Sequence, residues 1–138
     1  MARWVCPECE REFDKPRQSH VCVPGCTVEE TFAGRPGYQR EAYDTIVAFL
    51  RRLGPVHEDA VKVGVFLKHE RKFAEIRPMA RGLSVELYLP RRIDDPRIAR
   101  HLPIGGGRVV NIVRITAAEQ VDGRLKQWLE EAAGSARP

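Results

Sequence analysis

The sequence predicts an α+β domain, a mainly antiparallel sheet packed by two amphipathic helices, preceded by a small cysteine-rich segment. Three observations predict it. All four cysteines fall within the first 26 of 138 residues. Two stretches, near 39–53 and 121–132, repeat apolar residues at the spacing of one helix face. Between them, short runs alternate apolar and polar residues and are divided by Gly, Pro and charged turns. A chain of this length has room for one ordinary domain and an appendage. The expected division is a segment 1–26, a linker 27–37 and a domain 38–138.

The first segment carries Cys6-Pro-Glu-Cys9, then His20-Val-Cys22, then Cys26. Outside an oxidising compartment, clustered cysteines point to metal ligation more than to disulfides. A Cys-x-x-Cys turn brings two thiolates to one side, and Zn²⁺ completes its tetrahedron with two further S or N donors. Zinc is therefore the expected cofactor, in a zinc-finger or knuckle-like segment. Spacing leaves three sets open: Cys6 and Cys9 with His20 and Cys22, with Cys22 and Cys26, or with His20 and Cys26. About 26 residues hold little core, so metal supplies most of the local folding free energy. Phe13, Trp4 and Val21 are the expected apolar cap. A redox role for the Cys-x-x-Cys pair would need a preceding strand and a following helix. Only five residues precede Cys6, and the charged stretch after Cys9 ends at Pro16.

Pro24-Gly25, Gly34 and Pro36-Gly37 mark the linker. Tyr43, Ile46, Val47, Leu50 and Leu53 predict a helix over 39–53, and Gly54-Pro55 stops it. One strand is expected over 61–69, on the alternation of Val61, Val63, Val65 and Leu67. Glu70-Arg71 turns into a weaker strand, 72–78, and Ala80-Arg81-Gly82 turns again into a strand from Leu83 to Leu89. Asp94-Asp95-Pro96 reads as the start of a short helix reaching about Arg100. A loop with Gly105-Gly106-Gly107 leads to a strand, Val109 to Ile115. Thr116 and Glu119 fit a capping box for the last helix, whose face is Val121, Leu125, Trp128, Leu129 and Ala132. Gly134–Pro138 is expected to fray. The expected core includes Val63, Leu67, Val85, Leu87, Ile112, Leu125 and Trp128.

The motifs Trp4-Val-Cys6-Pro-Glu-Cys9, Phe13 and Gln18-Ser-His20-Val-Cys22 resemble the N-terminal zinc motif of a group of small, actinobacterial-type bacterial proteins. In that group the zinc motif precedes a domain of unknown function. Gly54-Pro-Val56, Val65-Phe-Leu-Lys68, Arg71-Lys-Phe-Ala74, Leu87-Tyr-Leu-Pro90 and Asp94-Asp-Pro-Arg97 are similar to it. The resemblance implies Cys6, Cys9, His20 and Cys22 as ligands, and Cys26 departs from the pattern.

Net charge is +4, yet residues 60–115 hold 12 Lys and Arg against 5 Asp and Glu. Lys68, Arg71, Lys72, Arg77, Arg81, Arg91, Arg92 and Arg97 cluster around the expected turns and are the candidate nucleic-acid contacts. The expected partner is nucleic acid or a nucleoprotein assembly. The rivals are an adaptor for another protein, and an enzymatic or small-ligand domain that sequence does not reveal. Outward aromatics are few, Phe66 and Tyr88, which favours contact with phosphate backbone over base stacking. No catalytic constellation is apparent. His57-Glu58-Asp59, His69 and His101 lack a nucleophile or second ligand nearby, and the triglycine run lacks the Lys-Ser/Thr ending of a phosphate loop. No run approaches the roughly 18 apolar residues of a membrane span. Met1-Ala-Arg-Trp-Val-Cys6 lacks a secretory core, so the cytoplasm is the expected compartment.

Overall fold

The alternating runs pair into one sheet in a computed structural model, which describes residues 3–136. A small hairpin, β1 (Trp4–Val5) and β2 (Glu12–Phe13), comes first, followed by helices α1 (Val28–Phe32) and α2 (Gly37–Leu53). Then come β3 (His57–Val61), β4 (Gly64–Lys68), β5 (Lys72–Met79), β6 (Gly82–Leu89), β7 (Ile98–Pro103) and β8 (Val109–Ile115). A 3-10 turn at Ala118–Gln120 precedes α3 (Gly123–Ser135). The large sheet has the order β3-β4-β5-β6-β8-β7, antiparallel throughout. This is the α+β fold the sequence predicts.

Strand periodicity gives the sheet two unlike faces. Val65, Ile76, Val85 and Val113 are neighbours across four strands and lie on one of them. There they pack with Ile46 and Leu50 of α2 and Leu125 and Leu129 of α3, all essentially inaccessible to water. Each such side chain contributes about 1.5–3 kcal/mol of burial. The outer face carries Phe66, Glu75, Glu86 and Ile112 in the adjacent register. Tyr88, Val110 and Ile112 form a second, smaller apolar cluster there, with Leu102 against it.

Several expected elements differ. The strand expected over 61–69 is a hairpin: β3 and β4 pair from Val61↔Gly64 outward, so Lys62-Val63 is a two-residue turn and Val63 is 56% exposed. Pairing across the two-residue turn sets Val61 with Gly64 and Val65 with Ala60, on opposite faces, so the run of alternating valines in the sequence is not one buried face. Gly64 is needed because an added Cβ would lie 2.9 Å from the Ile76 carbonyl oxygen. Asp95 caps a single turn, accepting from Arg97 N–H at 2.8 Å, and the chain then enters β7 instead of a helix. The Thr116–Glu119 box does not form. Thr116 N–H donates to Gln120, and Asp122 caps α3 through Leu125 N–H. The capping box lies elsewhere, between Thr27 and Glu30 of α1. That helix occupies the stretch expected to be linker, and its Phe32 is buried in the main core. At the other end, α3 runs to Ser135 and Ala136 is buried, while the rest of the expected frayed tail, residues 137–138, lies outside the described residues.

Candidate functional site

The β1–β2 hairpin turns through Cys6 and Cys9, closed by hydrogen bonds from Cys6 N–H to Arg11 O (3.0 Å) and from Glu10 N–H to Cys6 O (2.8 Å). The returning chain brings His20 and Cys22 to the same spot. Cys6 Sγ lies 3.6 Å from Cys22 Sγ, and Cys9 Sγ lies 3.4 Å from His20 Nε2. All four ligand atoms fall within 4.8 Å of one another, close enough to hold one metal ion. His20 is oriented for this. Its Nδ1–H donates to the Gln18 carbonyl at 2.6 Å, which leaves Nε2 free to ligate. The imidazole also stacks on Phe13, centroids 4.0 Å apart. Phe13 is buried and Trp4 packs on it as expected, whereas Val21 is 79% exposed and caps nothing.

The electrostatics of the cluster suit a cation. The backbone N–H of Cys9 favours the Cys6 thiolate and lowers its pKa to about 6. Burial and the neighbouring Cys6 and Cys9 raise the Cys22 thiol to about 12. A divalent ion in their midst would favour all three thiolates together. Cys26 is outside the cluster. Its backbone N–H donates to the Ala60 carbonyl at 2.9 Å, and its sulfur lies 3.4 Å from Thr31 Oγ1.

One side chain fastens this segment to the domain. Arg11 donates to both carboxylate oxygens of Asp59 on β3, Nε to Oδ1 at 3.0 Å and a terminal N–H to Oδ2 at 3.0 Å. Lys68 on β4 adds a bond to Oδ2 at 2.7 Å and another to the Glu12 carbonyl at 3.2 Å. All three side chains are at most 7% exposed. Burial opposes ionisation of Asp59, but hydrogen bonds from Arg11 and Lys68 outweigh it and hold its pKa below the usual carboxylate value. The Arg11 guanidinium also lies over the rings of Phe13 and Phe66, at 5.3 and 5.2 Å.

The eight basic candidates do not share one face. Lys68 is engaged inside the Arg11–Asp59 network. Arg91 and Arg97 turn toward α3, where they pair with Glu131 at 2.7 Å and Asp122 at 3.0 Å. Arg92 lies 3.4 Å from His101, and Arg81 is exposed in the β5–β6 turn. Arg71, Lys72 and Arg77 remain beside the outer sheet face. Lys72 sits over Phe66 and Tyr88 at 4.4 and 4.8 Å, with Glu75 at 3.8 Å, and Arg77 lies 3.5 Å from Glu75. Strand register places Arg100 and Arg114 on this face as well, opposite Ile112 and Ser84. Arg108 joins them, its guanidinium over Tyr88 at 5.4 Å.

Sequence reasoning missed Arg11, weighed Asp59 only as part of an acid/base group, and counted Arg100, Arg108 and Arg114 in the basic block without naming them as contacts. Arg108 carried a further signal, its position where the triglycine loop enters a strand. That loop turns through three successive left-handed residues, with φ of +84°, +63° and +76° at Gly105, Gly106 and Gly107, which glycine adopts without strain. The remaining candidates have structural partners. Glu58 accepts hydrogen bonds from Tyr43 and Arg51, His101 bonds the Ile93 carbonyl, and His69 stacks on Phe73.

No helix among the described residues is long and apolar enough to cross a membrane. Neither the curated proteins nor the solved structures contain a match to the chain. A family described as a domain of unknown function (DUF5655) matches residues 28–133, from the first residue of α1 into α3, and leaves the metal segment outside. The whole six-stranded sheet, α1, α2 and all of α3 but its last two residues lie within that match, and the chain belongs to the DUF5655 family.

Proposed function

We propose that the protein is a zinc-stapled, non-enzymatic binding module that holds nucleic-acid phosphates on the outer face of its sheet. Three thiolates and one imidazole are donors that suit Zn²⁺, and tetrahedral bonds of about 2.3 Å to sulfur would set sulfurs about 3.8 Å apart. The Cys6–Cys22 separation of 3.6 Å supports that metal. Four protein ligands close the coordination sphere, so the ion is a staple and not a catalyst.

The observation that carries the binding reading is the charge on the outer face. Lys72, Arg77, Arg100, Arg108 and Arg114 stand on or beside it, against the carboxylates Glu75 and Glu86. Among the described residues no helix covers this face, since α2 and α3 pack on the other. Guanidinium groups on a rigid sheet suit phosphate oxygens, which accept paired N–H donors. Affinity for duplex DNA and structured RNA, measured at about 50 and 200 mM salt, tests the reading. The expected result is binding that falls steeply with salt. Arg77→Gln, Arg100→Gln and Arg114→Gln should each lower affinity by a similar factor for all sequences. Absence of binding at the lower salt would overturn it in favour of a protein partner.

A further inference from the structure

The β4–β5 turn, the metal segment and Arg108, which follows the triglycine run, line a cleft of about 500 Å³ at the margin of the outer face. Phe13, Phe66, Arg71, Lys72, Glu75 and Arg108 are among its walls. Arg71 comes from the β4–β5 turn and Arg108 from the end of the triglycine loop, segments far apart in sequence. Each guanidinium is moored by a hydrogen bond to a backbone carbonyl: Arg71 to Ser135 at 2.9 Å, Arg108 to Lys72 at 3.0 Å. Neither makes a salt bridge among the described residues, whereas Lys68, Arg77, Arg91 and Arg97 all do.

A guanidinium carries five N–H donors, so mooring leaves most of them for a ligand. The two groups are also close enough to repel. Burial, and next the charge of Arg71, lower the pKa of Arg108. Lys72 is lowered likewise, by burial first, and Arg11 and Arg108 add to the effect against the attraction of Glu75 and Glu86. Glu75 is shared between Lys72 and Arg77, and among the described residues the cleft's other carboxylates, Asp14 and Glu70, form no salt bridge with Arg71 or Arg108. Three cations converge where the cleft is walled by aromatic rings. A dianion there relieves the repulsion and meets rigid donors, at little ordering cost.

We propose that Arg71, Lys72 and Arg108 seat one phosphoryl group, a phosphate monoester, while the rest of the cleft takes the group that bears it. A monoester carries about −1.5 to −2 at neutral pH, against −1 for a backbone diester, and matches three cations better. The cleft volume lies within the roughly 300–1,000 Å³ of small-molecule sites. The terminal phosphate of a nucleic acid and that of a free nucleotide share this chemistry. Only the first of these sources rests on the nucleic-acid reading above.

The test uses the full chain loaded with zinc and four probes: inorganic phosphate, adenosine monophosphate, and one single-stranded oligonucleotide with either a 5′-phosphate or a 5′-hydroxyl. The 5′-phosphate strand should bind about tenfold more tightly than the hydroxyl strand, the scale of one charge-assisted pair. Arg71→Gln with Arg108→Gln should erase that difference, while Arg100→Gln with Arg114→Gln should weaken both strands alike. Arg108→Lys retains the charge without the fork and should lose most of the preference, which keeps the test valid should the double variant misfold. Equal affinity for the two strands, with no perturbation of Arg71 or Arg108 resonances by either small probe, overturns the seat and leaves the nucleic-acid reading standing. Binding of the monophosphate at Arg108 without affinity for either strand does the reverse.

Discussion

Replacing Asp59 by Ala removes the common acceptor of Arg11 and Lys68 and leaves two cations side by side, 6% and 7% exposed. If the segment stays docked, the cost is that of breaking a buried ion pair, about 3–5 kcal/mol. For a domain of this size that is a fall of roughly 10–20 °C in Tm. The protein has a way to lessen it. The metal segment can lift from β3 and β4, letting water reach both cations, and the loss then becomes the free energy of docking. Urea unfolding separates global from local loss when paired with amide exchange on residues 3–22. The expected result is a lower midpoint, faster exchange in that segment, or both, with bound zinc retained. Acid provides a second check. Asp59 has a depressed pKa, so its stabilisation is present in full above the unfolded carboxylate value of about 3.9 and is lost as pH falls through the lower folded value. The gap between wild type and Asp59→Asn should therefore be widest near neutrality and shrink below about pH 4. An Asp59→Ala variant with unchanged midpoint and unchanged exchange would refute the docking argument.

Cys22→Ser should lose stoichiometric zinc, whereas Cys26→Ser should keep it, as read by metal analysis of purified protein. A chain starting at Gly25 should still melt cooperatively, because α1 and the Cys26–Ala60 bond remain. One starting at Gly37 forfeits Phe32 from the core and the Thr31 hydroxyl bond to the Val61 carbonyl, and should be less stable by about 3–5 kcal/mol in denaturant unfolding. Gly64→Ala forces a Cβ against the Ile76 carbonyl and should cost about 1–3 kcal/mol by the same assay, with no effect on zinc content.

The sequence signals succeeded where an element's own residues settle its state. The face of α2 and the alternation of β6 and β8 are complete within their segments, and core burial follows from them. β3 was illegible for the opposite reason. His57-Glu58-Asp59 looks like a solvated turn until its partners are counted, and those lie at Tyr43, Arg51, Arg11 and Lys68. β7 is an edge strand with a register shift between Ile98 and Arg100, so no alternation marks it, and the Asp-Pro before it imitates a helix start. In the Cys/His cluster, residue types marked the candidate donors and left Cys22 and Cys26 open. An isolated bridge between Gly25 and Val61, with the Cys26 bond to Ala60, pins Cys26 against the edge of the sheet, outside the cluster of Cys6, Cys9, His20 and Cys22.

The basic block shows how far a charge count carries. Twelve cations against five acids in residues 60–115 mark a surplus without saying which cations are surplus. Packing decides that, through acids donated from outside the block. Asp59 of β3 takes Lys68, while Glu131 and Asp122 of α3 take Arg91 and Arg97. Those pairs work within the molecule, and a ligand anion would have to displace a carboxylate to reach them. Arg71 and Arg108 are moored by carbonyls, which hold the side chains in place without neutralising them. A carbonyl-moored guanidinium is positioned yet still charged, which is the combination the proposed phosphoryl seat requires. Arg71 and Arg108 bring part of the surplus to the cleft walled on its other side by the metal segment that Arg11 holds in place. Arg100 and Arg114, which also make no salt bridge among the described residues, carry it across the outer face.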